Sequence, residues 1–253
     1  YDSTGTHELL EDEVAKAITG GIITGGNNNN QGNGGGVQVD RGKFYLYGGN
    51  IVGNYAKNGA GVHVGSKTKD VIASFEMSGG TISYNKALNG GGGVSISNAY
   101  EEFNMTGGEI TNNVVVNSAY GGGVFTQSDI TLGGTAKITN NTAKGATNNV
   151  CLFTGKTITL VNPTTNGDDK MQIGVTTFAT PTESKPVQIT ADGTADYSSH
   201  FFSDNDNYKV CFNNKGTEED TTDDYLELRT AYAITNNTKE DDKTTNNGYI
   251  DVD

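Results

Sequence analysis

Short stretches of alternating apolar and polar residues recur along this chain in a fixed order. One stretch is a bulky residue, a polar residue and a second apolar residue: Phe44/Leu46, Phe75/Met77, Phe103/Met105, Ile130/Leu132 and Ile158/Leu160. It is followed by Gly-Gly-x-Ile-x-x-Asn, seen at 48–54, 79–85 and 107–113. A copy with one extra residue spans 134–141, and an incomplete one spans 20–26. The third stretch is a glycine cluster leading into an apolar alternation, as in Gly36-Val37-Gln38-Val39, Gly61-Val62-His63-Val64, Gly93-Val94-Ser95-Ile96 and Gly123-Val124-Phe125-Thr126. Val150-Cys151-Leu152 repeats it without the glycine. Ile51, Ile82, Ile110 and Ile138 are separated by 31, 28 and 28 positions.

A period near 28 with three short period-2 segments predicts an all-β, right-handed parallel β-helix of three-strand coils. The leucine spacing of a leucine-rich repeat is missing, and a propeller blade needs about 40 residues and four strands. One coil cannot bury its own apolar edge, but coils stacked about 4.8 Å apart align equivalent residues into columns. The expected columns are Ile51/Ile82/Ile110/Ile138 and Phe44/Phe75/Phe103. Asn54, Asn85, Asn113 and Asn141 fall at one turn, where Asn tolerates a left-handed backbone and can hydrogen-bond from coil to coil. No Lys-Ser or Lys-Thr follows the glycine runs in a strand-loop-helix context, so they are turns and not phosphate loops.

Around these repeats the chain divides into four expected regions. Residues 1–19 form an N-terminal cap, with Leu10, Val14, Ala17 and Ile18 spaced for an amphipathic helix over 7–17 and Thr6 as its N-cap. Residues 20–162 carry the regular coils. Residues 163–229 lose the glycines but keep strand-like stretches, and are expected to form irregular coils and a cap. Residues 230–253 are read as the start of a following module or a tail.

Composition narrows the function. Thirty-six glycines and no tryptophan in 253 residues are unusual for a globular enzyme, and 33% hydrophobic content suits a fold in which only alternate residues point inward. The net charge of −13 argues against nucleic acid or anionic membrane as partners. No apolar run approaches the ~18 residues of a membrane span. No secretory leader is visible, so the stretch reads as mature or cut from a longer chain. Cys151 and Cys211 lack metal-site spacing and are expected to be unbonded, with a single disulfide as the alternative.

The copies of Gly-Gly-x-Ile-x-x-Asn, Gly-Gly-Gly-Val-x-Val and Phe-x-Met-x-Gly-Gly together resemble the glycine-rich repeats of large adhesin-like surface proteins of Gram-positive bacteria, within the pectate-lyase-like β-helix group. The segments 170–177 and 197–208 resemble those that close such arrays. The resemblance covers roughly residues 20–229 and implies a secreted or cell-wall-associated protein, monomeric within a longer multidomain chain. It implies little about ligand, because the matching residues are those that build the scaffold.

Function must then lie on outward positions and turn insertions. Alternation places Tyr45, Glu76, Asn104, Thr131 and Thr159 outside the Phe-bearing strands, a surface that could stack on and hydrogen-bond sugars or serve as an ordinary solvated face. It places Gln38, His63, Ser95, Phe125 and Cys151 outside the Val-bearing strands. The corner between these strands carries Asp40, Asp70, Glu101, Glu102 and Asp129, with Lys67 and Tyr100 in the same turns. Aligned, such acids could bind glycan, hold calcium or form a hydrolase pair; unaligned, they are solvated loop acids. No catalytic residue and no metal ligand is assigned, and no cofactor is expected beyond a weak calcium ion. The acidic turns 204–207 and 220–224 lack the glycine and distal glutamate of an EF-hand and read as solvated. The expected function is a surface adhesin or stalk module that presents a long sheet to host or plant glycans or surface proteins, or merely spaces other domains. The alternative is a polysaccharide hydrolase or lyase using the corner carboxylates.

Overall fold

The computed structural model describes residues 21–28, 32–66, 68–70, 72–217 and 219–231. The helix expected over 7–17 and nearly all of the region after 230 lie outside these residues. The described chain is an all-β parallel solenoid of about six turns with a spacing near 28 residues, and its helical content is a single short 3-10 turn at Ser198–His200.

Three parallel strand columns wind around one apolar core. The first contains Gly42–Leu46, the start of Ala73–Ser83, the start of Glu102–Thr111, Ile130–Gly134 and Ile158–Pro163. Phe44 pairs in register with Phe75, and Phe75 with Phe103. Their rings stack with centroids 5.2 Å apart at both steps, so shape and area burial coincide in one column. In the second column Ile23, Ile51, Ile82, Ile110, Ile138 and Ile173 occupy successive equivalent positions. Ile51 through Ile173 are fully buried. In the third, Val37, Val62, Val94, Val124, Val150 and Val175 do the same. The two predicted columns are therefore present, in the predicted register.

The asparagine turn is a buried hydrogen-bonded ladder. The Oδ1 of Asn85 accepts from both the backbone N–H and the Nδ2 of Asn54, at 3.0 and 2.9 Å. Asn113 accepts likewise from Asn85, and Asn141 from Asn113. Each Nδ2 also donates to an isoleucine carbonyl of the preceding coil, Asn113 to Ile82 at 2.8 Å for example. Backbone conformation is not what selects asparagine here. The left-handed residue is the one before each ladder position: Gly53, Tyr84, Asn112 and Asn140, with φ of 66°, 53°, 55° and 59°. Hydrogen bonding at both ends of the amide sets the identity of the ladder residues.

After each ladder asparagine the chain makes an excursion before returning to the valine column. The excursions form a second, smaller sheet of Tyr55–Asn58, Lys86–Gly90, Val114–Val115, Thr142–Ala143 and Ala146–Thr147, the last two antiparallel. Its core is small: Ala56, Ala60, Ala87, Val115 and Ala143. Each excursion then folds back against the outside of the valine column. Gly91, at φ 59°, lies so close that a Cβ there would sit 2.7 Å from the Cβ of Ser95. The C-terminal part adds a three-stranded antiparallel sheet of Val187–Gln188, Tyr225–Thr230 and Tyr208–Asn213, whose Leu226 and Leu228 join the main core.

Candidate functional site

The outer column of the Phe-bearing strands forms as a continuous row. Tyr45, Glu76, Asn104, Thr131 and Thr159 are successive register partners. Tyr45 stacks on Tyr47 at 5.8 Å, and Lys43 lies 3.5 Å from Glu76. At the far end of this row Thr159 lines a cavity of about 300 Å³ together with Leu160, Asn162 and the turn 191–195.

The corner acids do not assemble into one site. Glu101 is 1% exposed, which corrects its reading as a loop acid available for binding. Its Oε1 accepts from the backbone N–H of Ser66 and its Oε2 from that of Ala73, both at 2.7 Å. Those two residues flank the loop of the preceding coil, so the carboxylate fastens the two ends of that loop with charge-assisted bonds. The turn from Asn98 to Glu101 aims it inward, and Asn98 Nδ2 donates to the Ser66 carbonyl at 3.0 Å. Asp129 instead faces the following coil, accepting from the Thr157 N–H at 2.8 Å with Lys156 at 3.6 Å. Asp40 accepts from Gln38 at 2.7 Å. Asp70 and Glu102 are exposed, and Tyr100 is half-buried. Lys67 lies outside the described residues. Turns of unequal length turn these acids toward different neighbours.

The outside of the valine column is also not what alternation implies. His63, Ser95 and Cys151 are 3%, 2% and 1% exposed. The excursions roof this side of the sheet, a layer that period-2 alternation cannot reveal. Burial holds the His63 imidazole down at about pKa 4, against the nearby charges of Asp40 and Glu101. Burial pushes the Cys151 thiol up to about 12. Neither cysteine is in a disulfide.

The roof stops where one excursion is missing. In the strand Gln172–Thr177, Ile173 belongs to the isoleucine column and Val175 to the valine column, with only Gly174 between them. A Cβ on Gly174 would lie 2.2 Å from Asn149 Nδ2 and 2.5 Å from Asp204 Oδ1, so a side chain at this shortened corner would have to displace the Asn149–Asp204 pair. Beyond the last roofing loops this leaves a cleft of about 860 Å³. Its floor includes Cys151 and Thr176. Its walls include Tyr120, Thr147, Asn148, Thr177, Phe178 and the turn 204–207.

Aromatic rings continue along its rim. Phe125, Tyr120, Phe178 and Phe153 follow one another at centroid distances of 5.8, 5.2 and 4.9 Å. Tyr120, Phe153 and Phe178 are 39%, 37% and 43% exposed and form a contiguous aromatic patch. Asp204 closes the asparagine ladder at the cleft wall. Asn149, which receives the ladder from Asn141, donates its backbone N–H to Asp204 Oδ2 at 2.6 Å and its Nδ2 to Oδ1 at 2.5 Å. Thr176 Oγ1 adds a third donor at 2.9 Å. Burial raises the Asp204 carboxyl above its ordinary range, opposed by the bonds from Asn149 and Thr176. The expectation that 204–207 is simply a solvated turn is thus corrected at Asp204, while Asn205, Asp206 and Asn207 are exposed. Among the described residues no group of three or more His, Cys, Asp or Glu is placed to hold a metal ion, and no helix is long and apolar enough to cross a membrane.

Compared with known proteins, the chain matches no family model, no curated protein and no solved structure.

Proposed function

We propose that this chain is a glycan-binding module of a surface-displayed, adhesin-like protein, built on a right-handed β-helix of the pectate-lyase-like kind. The observation that carries the reading is the half-exposed row Tyr120–Phe178–Phe153 beside the Thr/Asn/Asp-lined cleft. Sugar rings offer apolar C–H faces to aromatic surfaces and hydroxyls to short polar side chains, and this cleft supplies both within one concave site. The flat Tyr45/Glu76/Asn104 face offers the same groups without concavity and is the weaker of the two surfaces.

A raised carboxyl in a cleft is also what a polysaccharide hydrolase requires. Asp204 is poorly suited to that role, because three donors already engage its two oxygens and a buried ladder depends on it. Binding without turnover fits better. The test is a glycan array followed by titration of hits and a reducing-sugar release assay. Phe178→Ala should weaken binding about three- to tenfold, the worth of one aromatic contact. Glycan binding unaffected by Phe178→Ala would remove the cleft from the reading, and sugar release by the purified chain would favour the hydrolase.

A further inference from the structure

The cleft has a charge character that its shape does not require. Among the described residues its lining contains two carboxylates, Asp204 and Asp206, and no Lys, Arg or His. The other polar groups are neutral: Thr147, Asn148, Thr176, Thr177, Asn205 and Asn207. The two acids are not equivalent. Asp204 has both oxygens committed to Asn149 and Thr176. Asp206 is exposed, two residues away on the same turn, and takes part in no hydrogen bond or ion pair among the described residues. Its carboxylate is free to receive a ligand group.

The same cleft is lined by the rings of Tyr120 and Phe178, 5.2 Å apart. A ring face attracts a cation as well as a C–H surface. A uronate or other acidic sugar would meet two carboxylates with no compensating base, in a chain whose net charge is −13. A protonated amine on a sugar ring would meet a carboxylate and aromatic faces together.

We infer that the cleft selects glycans bearing free amino groups, de-N-acetylated hexosamine polymers in chemical class, with Asp206 as the residue that recognises the ammonium. The selectivity rests on the reading of the cleft as a glycan site, and one experiment separates the two. Four tetrasaccharides are titrated calorimetrically into the whole chain: glucosamine, N-acetylglucosamine, glucose and galacturonic acid oligomers. The pH is chosen so that the sugar amine is protonated and aspartate ionised. The glucosamine oligomer should bind roughly three- to fivefold tighter than its N-acetylated form, the range of a solvent-exposed ion pair, and the galacturonate weakest. Asp206→Asn should bring the ratio of the first two affinities close to one. Added salt should narrow the ratio in the wild type and leave it unchanged in the variant. Equal affinities, or tightest binding of the galacturonate, would overturn the amino-sugar selectivity while leaving a glycan site. A ratio that survives Asp206→Asn would overturn the role of Asp206. No binding of any oligomer, by a chain whose circular dichroism shows it folded, would overturn both this inference and the glycan reading beneath it.

Discussion

Replacing Asn113 by alanine should be among the most damaging small substitutions in this chain. Its Oδ1 accepts from the Asn85 N–H and the Asn85 Nδ2, at 3.0 and 2.9 Å. Its Nδ2 donates to Asn141 Oδ1, to the Ile82 carbonyl and to the Thr111 carbonyl, at 2.9, 2.8 and 3.0 Å. Asn54, Asn85, Asn113 and Asn141 are all 0% exposed, so water cannot replace what is lost. The Asn141 oxygen keeps the Asn113 backbone donor, and the carbonyls lose only a secondary partner. Two N–H hydrogens of Asn85 are left buried without an acceptor: the backbone one, and one of the two on Nδ2, whose other hydrogen keeps the Ile51 carbonyl. At about 1–3 kcal/mol for each orphaned group, the loss is about 2–6 kcal/mol. Asn113→Asp should not rescue it, because a carboxylate would still accept from Asn85 but would face the Asn141 oxygen with no hydrogen to give. Urea unfolding followed by far-ultraviolet circular dichroism and tyrosine fluorescence measures the change, with Asn104→Ala on the exposed face as the neutral control. A loss below about 1 kcal/mol for Asn113→Ala would refute the view that the ladder contributes to stability through paired buried amides.

Glu101→Gln should destabilise by about 1–3 kcal/mol, because an amide must point an N–H at either the Ser66 or the Ala73 donor; a neutral effect in the same urea assay would contradict the fastening role. His63 should make the fold acid-sensitive. Burial lowers its folded pKa to about 4 while the unfolded imidazole stays near 6.5. The unfolded chain therefore takes up the proton first. The stability associated with neutral His63 is whole above about pH 6.5 and falls by up to roughly 3 kcal/mol as pH drops towards 4. His63→Gln should flatten that part of the stability-pH profile, and an unchanged profile would exclude His63 as its source. In the folded protein a thiol reagent should label Cys211 readily and Cys151 very slowly, with both reacting after denaturation; rapid labelling of Cys151 in the native state would contradict its burial, and a mass change on reduction would contradict two free thiols.

The scaffold was legible because its columns repeat. A residue that recurs every 28 positions with its neighbours alternating leaves few ways to bury Ile51, Ile82 and Ile110 together, and the register follows. The site was much less legible. Tyr120, Phe153 and Phe178 come from different coils and from loops outside the repeat, so no local pattern joins them. Their only sequence signal is negative: between Ile173 and Val175 the excursion that follows every earlier ladder asparagine is gone. Cys151 and His63 were misplaced for a related reason, since strand alternation gives the face of a residue but not what lies over that face. Glu101 and Asp129 occupy similar corners in sequence yet serve opposite neighbours, a choice made by the turn conformation at Asn98–Glu101.

The asparagine ladder also gives the solenoid a direction. Each amide passes a hydrogen forward, from Asn54 to Asn85 and on to Asn149, and each receives one from behind. The row behaves like a sentence read one way, and Asp204 is its full stop: an ionised carboxylate can receive but has nothing to hand on. The aligned amide dipoles turn their positive ends towards it, so among the described residues a half-buried carboxylate is held without a cationic partner. Coils could be duplicated anywhere upstream with the grammar intact, each new asparagine slotting between two others. Extension past residue 204 would first require an amide there, and the cleft that opens at the ladder's end would then be roofed by the next coil. At this end of the solenoid the two features meet: the carboxylate stops the ladder, and the missing excursion at Gly174 opens the cleft beside it.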